Sequence, residues 1–167
     1  MTVDWADIRT ERLLLRPLRP EDRADVVEIQ SNPDANRYNP DPPTRAQASK
    51  QLESWLHHWD QHGFGYLAVV EQASGRIIGV GGVQHKVLTD EKALNLYYRF
   101  LPDAWGKGYA TEMASAVVEW AERELPWPVI ITVALINKPS LRVAEKLGFA
   151  NYEEIEYEGL PSRNYRR

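Results

Sequence analysis

Apolar residues recur along this chain with one of two periods, and the changes between them mark out the elements. Leu13-Leu14-Leu15-Arg16-Pro17-Leu18 reads as a first strand. Pro17 has no N–H for a ladder and so suggests a sheet edge or a strand end. Pro20-Glu21-Asp22 opens a helix with acids in its first turn, running through Val26, Val27 and Ile29 to about Ser31. Asn32 to Pro43 holds four prolines among Asn and Asp residues and reads as a loop. Thr44 is placed to cap a helix to about Gln61, with Leu52, Trp55, Leu56 and Trp59 at three-to-four spacing and Gly63 ending it.

Strand periodicity then takes over. Tyr66 to Glu71 is a β run, Ala73-Ser74-Gly75-Arg76 a turn, and Ile77 to Gln84 the hairpin partner. Gly79, Gly81 and Gly82 point to a bulge or a close backbone approach in that partner. A turn over Thr89-Asp90-Glu91-Lys92 precedes a fourth strand, Leu94 to Phe100. The helical pattern from Thr111 to Leu125 buries Ala114, Val117, Val118 and Ala121, and Pro126 and Pro128 break it. Val129 to Leu135 is a continuous apolar run, hence a central buried strand. A short helix from Pro139 to Leu147 closes on Gly148, Phe149 to Tyr157 is a further strand, and the last residues leave room for one short strand more. Without repeats or a dividing linker, residues 1–167 form a single α/β domain.

Composition narrows the function. Apolar and charged contents of 43% and 26% are ordinary for a globular protein, and a net charge of −4 argues against a nucleic-acid partner. The one dense basic cluster, Arg163, Arg166 and Arg167, reads as a solvated tail. The chain has no cysteine, which excludes disulfides, thiolate catalysis and zinc–thiolate sites. No apolar run approaches a membrane span, and the first residues, with Asp4 and Asp7, lack a signal-peptide core. A cytoplasmic protein without a membrane partner is the default expectation.

The chemistry concentrates in Leu101-Pro102-Asp103-Ala104-Trp105-Gly106-Lys107-Gly108-Tyr109-Ala110-Thr111-Glu112. A strand, a glycine turn and a helix N-terminus in that order make an anion cradle, because first-turn N–H groups lack helical acceptors and the helix dipole favours negative charge. The motif is not a Walker A loop, since Lys107 is followed by Gly108-Tyr109, and it lacks the third glycine of a dinucleotide fingerprint. Two glycines also serve strand-to-helix turns for geometry alone. Asn137 and Ser140 stand just past the buried strand, where ligands of α/β sheets collect. Asn137 is equally suited to cap the helix that follows, and Ser140 to hydrogen-bond within its first turn.

Taken together, these segments resemble the GNAT superfamily of acyl-CoA-dependent N-acetyltransferases, and within it the branch that includes the ribosomal-protein alanine acetyltransferases. The matching pieces are Thr10-Glu11-Arg12-Leu13-Leu14-Leu15-Arg16-Pro17 with Asp22, and Ile78-Gly79-Val80-Gly81-Gly82. They continue with Trp105 to Glu112, then Asn137-Lys138-Pro139-Ser140 leading to Glu145-Lys146-Leu147-Gly148-Phe149. The resemblance spans roughly Thr10 to Tyr157 with the motifs in the family's order. It implies a GNAT-like fold: a mixed, mostly antiparallel sheet of six to seven strands, splayed between the fourth and fifth, with about four helices.

The resemblance further implies acetyl-CoA as cosubstrate, with no metal. Its pyrophosphate would lie on the loop of Trp105, Gly106, Lys107, Gly108, Tyr109 and Ala110 and the cap at Thr111. Its pantetheine arm would run along the backbone of Tyr98, Phe100 and Leu101, with Asn137 on the other side. Amide N–H groups near Tyr98 would stabilise the developing oxyanion, and Ser140 would contact the thioester sulfur. Many members carry a tyrosine four residues after the Ser140 position; here it is Ala144, which leaves Ser140 as donor to the thiolate or as a group that positions the sulfur. Trp105 stands where Gln or Arg is common, and Asn95 where this branch often has Glu.

The general base is open. Glu112 is a candidate and equally a helix-dipole partner, and His85 has a suitable intrinsic pKa but is also what a surface histidine looks like. Trp55, Trp59, Phe64, Tyr66 and Tyr38 are candidates for one wall of the acceptor site, or for core packing. The acceptor is a primary amine on a protein N-terminus or a small molecule. The competing readings are a catalytically silent acyl-CoA-binding domain and a cradle for another phosphate ligand. Homodimers are common among similar proteins, and nothing in the residues decides the assembly state.

Overall fold

The computed structural model describes residues 3–88 and 90–167. Its strands are β1 (Ile8–Arg9), β2 (Leu13–Pro17), β3 (Tyr66–Glu71), β4 (Ile77–Leu88), β5 (Glu91–Phe100), β6 (Val129–Ala134), β7 (Asn151–Tyr157) and β8 (Leu160–Arg166). Its helices are α1 (Arg23–Ser31), α2 (Arg45–His62), α3 (Tyr109–Glu124) and α4 (Lys138–Lys146). The strands form one sheet in the order β1-β2-β3-β4-β5-β6-β8-β7, antiparallel at every step except β5 to β6. That is the GNAT-like α/β fold with eight strands rather than six to seven. The surplus comes from the two-residue β1 and from a full seven-residue β8 where a short strand was expected.

Side-chain alternation along the strands divides the interior into two cores. On one face α3 and α4 press Met113, Val117, Leu141 and Ala144 against Leu94, Leu96 and Phe100. On the other, Val26, Ile29, Leu52 and Trp55 of α1 and α2 meet Tyr66, Ala68 and Val80. The aromatic set expected at the acceptor wall is therefore split: Phe64 belongs to the α3 side, and Trp55 and Tyr66 to the α2 side. Local signals place the helix ends. Thr44 accepts from the Gln47 N–H at 3.1 Å to cap α2, and Gly63 ends it in the left-handed region. Arg16 forms a two-pronged ion pair with buried Asp22 at 2.9 Å, which ties the end of β2 to the start of α1.

The glycine-rich strand shows both expected features. Pairing of β3 with β4 shifts between Val69 and Val70, which leaves Ile78 as the extra residue of a bulge. A methyl group on Gly81 would lie 2.6 Å from the Tyr97 carbonyl oxygen and 2.9 Å from the Met113 methyl, so glycine lets α3 sit down on the sheet. Of the expected turn at Thr89–Lys92, Thr89 lies outside the described residues, and Glu91 and Lys92 already belong to β5. Helix α3 begins at Tyr109, two residues before the expected cap at Thr111, because Gly108 with φ of 81° can serve as its N-cap.

His85 is not a surface residue. Its ring is half-buried among His58, His62, Phe64 and Trp127, with centroids 4.5 to 5.6 Å away. His58 is held in one tautomer, since Nδ1 lies 2.8 Å from the Phe64 carbonyl and must donate, while Nε2 accepts the His85 N–H at 3.1 Å. Burial, then the neighbouring His62, His58 and Lys92, push the His85 pKa down to about 4, and burial also lowers that of His58.

Gly81→Ala should destabilise the fold by about 2 kcal/mol, read from urea unfolding, because the backbone on one side of the added methyl cannot yield. The histidine cluster sets a pH dependence. Unfolded His85 titrates near its ordinary value of about 6.5, so between that pH and about 4 the unfolded chain holds a proton that the folded chain does not. Its contribution is therefore complete above pH 6.5 and lost as pH falls towards 4. The thermal midpoint should drop across that window in the parent protein, and less steeply in His85→Phe.

Candidate active site

The two halves of the sheet part company in the middle. Pairing of β5 with β6 is confined to Leu94 with Val129 and Asn95 with Ile130, although β5 continues to Phe100 and β6 to Ala134. Backbone polar groups alternate sides along a strand. Leu94 donates its N–H towards β6, to Pro128 at 2.8 Å, and Leu101 donates in the other direction, to Ile78 at 2.9 Å. Tyr98 and Phe100 share the parity of Leu94, so their N–H and C=O groups face the open gap. The gap widens into a groove of about 600 Å³.

At one end of the groove lies the glycine loop. Gly106 and Gly108 have φ of 74° and 81°, a left-handed geometry that disfavours other residues. Among the described residues, no backbone N–H from Gly106 to Thr111 donates to a protein acceptor, and the first helical bond of α3 is made by Glu112 to Gly108. Nothing among the described residues lies within 4 Å of where a Gly106 side chain would begin, and Gly106, Gly108 and Tyr109 to Thr111 border the open groove. Free amides, a helix dipole and open space fit a pyrophosphate. Trp105 folds back, its indole N–H donating to the Phe100 carbonyl at 3.1 Å, and Arg37 of the α1–α2 loop stacks over it at 5.5 Å.

The opposite wall comes from α4. Asn137 caps this helix by accepting the Ser140 N–H at 3.2 Å, so the capping reading is realised, while its amide NH₂ makes no hydrogen bond among the described residues. Asn137, Ser140, Tyr98 and Phe100 all line the groove. The Tyr98 phenol donates to Ser140 Oγ at 2.9 Å, which leaves the Ser140 proton free to point elsewhere. Burial pushes the Tyr98 pKa up to about 12, so the phenol stays protonated. Ala144 lies buried one turn on.

A clamp steadies the loop from outside the groove. Glu112 accepts from the Thr10 hydroxyl at 2.6 Å, the Arg12 N–H at 2.9 Å and Arg12 Nε at 2.7 Å. Arg12 Nη1 donates to the Lys107 carbonyl at 2.8 Å, and the guanidinium stacks on Tyr109 at 4.3 Å. Tyr109 in turn donates to Glu71 at 2.6 Å. Burial alone would raise the Glu112 pKa, but the hydrogen bonds from Thr10 and Arg12 outweigh it and hold it low. All the carboxylate's bonds are thus committed to structure, and Glu112 has no freedom to act as a base. His85 is no base for this groove either, being enclosed in the histidine cluster.

Trp105, Gly106, Gly108, Tyr109, Ala110 and Thr111 are brought to the groove wall together with the β5 and α4 residues. Lys107 and Leu101 are not. The Lys107 carbonyl faces Arg12, and Leu101 spends its N–H on Ile78 and its carbonyl on the Ala104 N–H. Of the aromatic set, only Tyr38 lines the groove. The side-chain role of Tyr98 and the Arg12 clamp escaped the sequence. The alternation of Leu94, Leu96, Tyr98 and Phe100 was the available signal for the first, and the second joins residues 100 positions apart.

Among the described residues, no helix is long and apolar enough to cross a membrane, and no group of three or more His, Asp or Glu is placed to hold a metal. Residues 12–150 match the model of the acetyltransferase (GNAT) domain family. Protein YkkB of Bacillus subtilis is 27% identical over 167 residues, covering 95% of this chain and 93% of its own. The crystal structure of an acetyltransferase from Agrobacterium tumefaciens superposes with a TM-score of 0.78 at 27% identity, over 100% of this chain and 96% of that one. A GNAT-family acetyltransferase structure from Bordetella pertussis shares the fold with a TM-score of 0.84 at 23% identity, over 98% and 99% of the two chains. With a family match over most of its length, a splayed sheet and an anion-ready glycine loop, the chain belongs to the GNAT acetyltransferases and is an N-acetyltransferase.

Proposed function

We propose that this protein moves the acetyl group of acetyl-CoA to a primary amine, on a small molecule or a protein N-terminus, by direct attack. The carrying observation is the gap between β5 and β6, where the Tyr98 backbone groups and the Phe100 N–H face the groove that leads from the open amides of the glycine loop to the Tyr98–Ser140 pair. An extended arm with amide groups pairs with such an edge as an added strand does. Bound acetyl-CoA supplies the acyl carbon, which bonds to the amine nitrogen as its bond to sulfur breaks.

The chain's own residues divide the remaining work. Amides from Gly106 to Thr111 hold the pyrophosphate, and Arg37 over Trp105 adds positive charge beside it. The Tyr98 N–H faces the gap and stabilises negative charge developing on the carbonyl oxygen. Ser140, whose oxygen accepts the Tyr98 hydrogen bond, gives its proton to the departing sulfur and regains one from solvent through the groove mouth. The amine sheds its proton to solvent through the groove mouth. The direct test is release of free thiol from acetyl-CoA across a panel of primary amines. Calorimetric binding of coenzyme A without turnover on any amine would overturn the reading.

Ser140→Ala should lower kcat by about 100-fold with little change in KM for acetyl-CoA. Tyr98→Phe should lower kcat by about tenfold, and a parent-like kcat in Ser140→Ala would remove the hydroxyl from the chemistry. Glu112→Ala strands the Thr10 hydroxyl and the Arg12 N–H and loosens the Lys107 turn. It should cost about 2 kcal/mol of stability and raise KM for acetyl-CoA several-fold more than it lowers kcat.

A further inference from the structure

We infer that the amine acceptor carries a carboxylate, as an amino acid does, and that Arg99 is the residue that recognises it. The inference rests on the acetyl-transfer reading above and names its second substrate. Arg99 follows Tyr98 on β5, so strand alternation turns its side chain to the face opposite Ser140 and α4. That face is where an amine must approach, because α3 and α4 fill the other side of the gap. The guanidinium lies 5.6 Å over the Tyr97 ring, whose hydroxyl is fixed by the fully buried Gln30 at 3.0 Å. Arg99 is thus half-buried over the Tyr97 ring and lines the groove one residue from Tyr98.

No carboxylate satisfies it. Among the described residues Arg99 enters no ion pair and donates no side-chain hydrogen bond, unlike Arg12 and Arg16, which are both tied to acids. The other groove cations have a claim on the donor: Arg37 leans over Trp105 at the glycine loop, and Arg142 and Lys146 ride on α4 with Ser140. Among the described residues, the only acid on the groove wall is Glu158, exposed at the tip of the β7–β8 hairpin and paired with none of them. A half-buried guanidinium without an acidic partner repels a polyamine and offers a carboxylate a two-pronged hydrogen bond. With the amine delivered to the acyl carbon, the acceptor's anionic group reaches back to Arg99.

The test compares matched acceptors, β-alanine against β-alaninamide and glycylglycine against its amide, with spermidine as the polycation. The parent protein should favour each acid over its amide by about tenfold or more in kcat/KM. Arg99→Gln should bring that ratio close to one, Arg99→Lys should keep part of it, and KM for acetyl-CoA should hold in both. Equal or better turnover of the amides or spermidine would overturn the inference, as would a rise in KM for acetyl-CoA as the main effect of Arg99→Gln. If no amine is turned over, the acetyl-transfer reading fails by itself, and calorimetry with N-acetyl-β-alanine and its amide on the coenzyme A-bound protein decides Arg99. Tighter binding of the acid that is lost in Arg99→Gln supports the assignment; equal binding of acid and amide overturns it. Thermal melts of both variants separate loss of recognition from loss of folding.

Discussion

Two parallel strands that pair for two residues and then diverge carry more of this molecule than any single contact. A sheet normally closes its ladder, because an unpaired N–H or C=O away from water is costly. Here Tyr98 leaves both of its groups facing the gap at the centre of the sheet rather than at its rim, and the Phe100 carbonyl is met only by the Trp105 indole. The rest of the architecture tolerates that deficit because one core, under α3 and α4, spans both halves of the sheet. Helix α3 seats on β4 through Gly81 and Met113, and α4 closes the second half through Leu141 and Ala144. The gap is a standing hydrogen-bonding vacancy in an otherwise well-packed core, and such a vacancy selects an extended ligand with amides of its own.

The glycine loop is the second constraint, and it depends on partners far along the chain. Free amides bind an anion well only if they already point the same way before it arrives, since ordering them on binding would cost entropy. Glu112 and Arg12 hold the turn from behind, and Tyr109 and Glu71 fix the first residue of α3. The carboxylate that looks like a base in the sequence is thereby a structural acceptor. Its charge is screened from the groove by three hydrogen bonds, which also keeps it from repelling phosphate.

Much of this was legible in the residues. The two glycines, the Thr44 cap, the Gly63 and Gly148 stops and the buried β6 run each follow from local chemistry, and the structure places them where that chemistry requires. What stayed hidden depends on side chains that meet across long stretches of chain. The Tyr98 hydroxyl finds Ser140 over 42 residues, and Glu112 could be a base or a strut until Arg12 is seen beside it. Strand order was hidden too. Strand β7 was read within two residues of its start, but it is exposed along nearly its whole length, and nothing in Asn151 to Tyr157 says that β8 lies between it and β6.

That strand order bears on how the groove is assembled. Among the described residues β7 pairs only with β8, so its place in the sheet depends on the hairpin that carries β8 to β6. The hairpin turns at Glu158 and Gly159, both left-handed, with φ of 50° and 81°. Glycine adopts that geometry freely and glutamate does so at a cost. A wall of the groove therefore hangs on a two-residue bend that lies outside the core, and a sequence change at that bend reaches the groove through the placement of Glu158 and Leu160 rather than through packing.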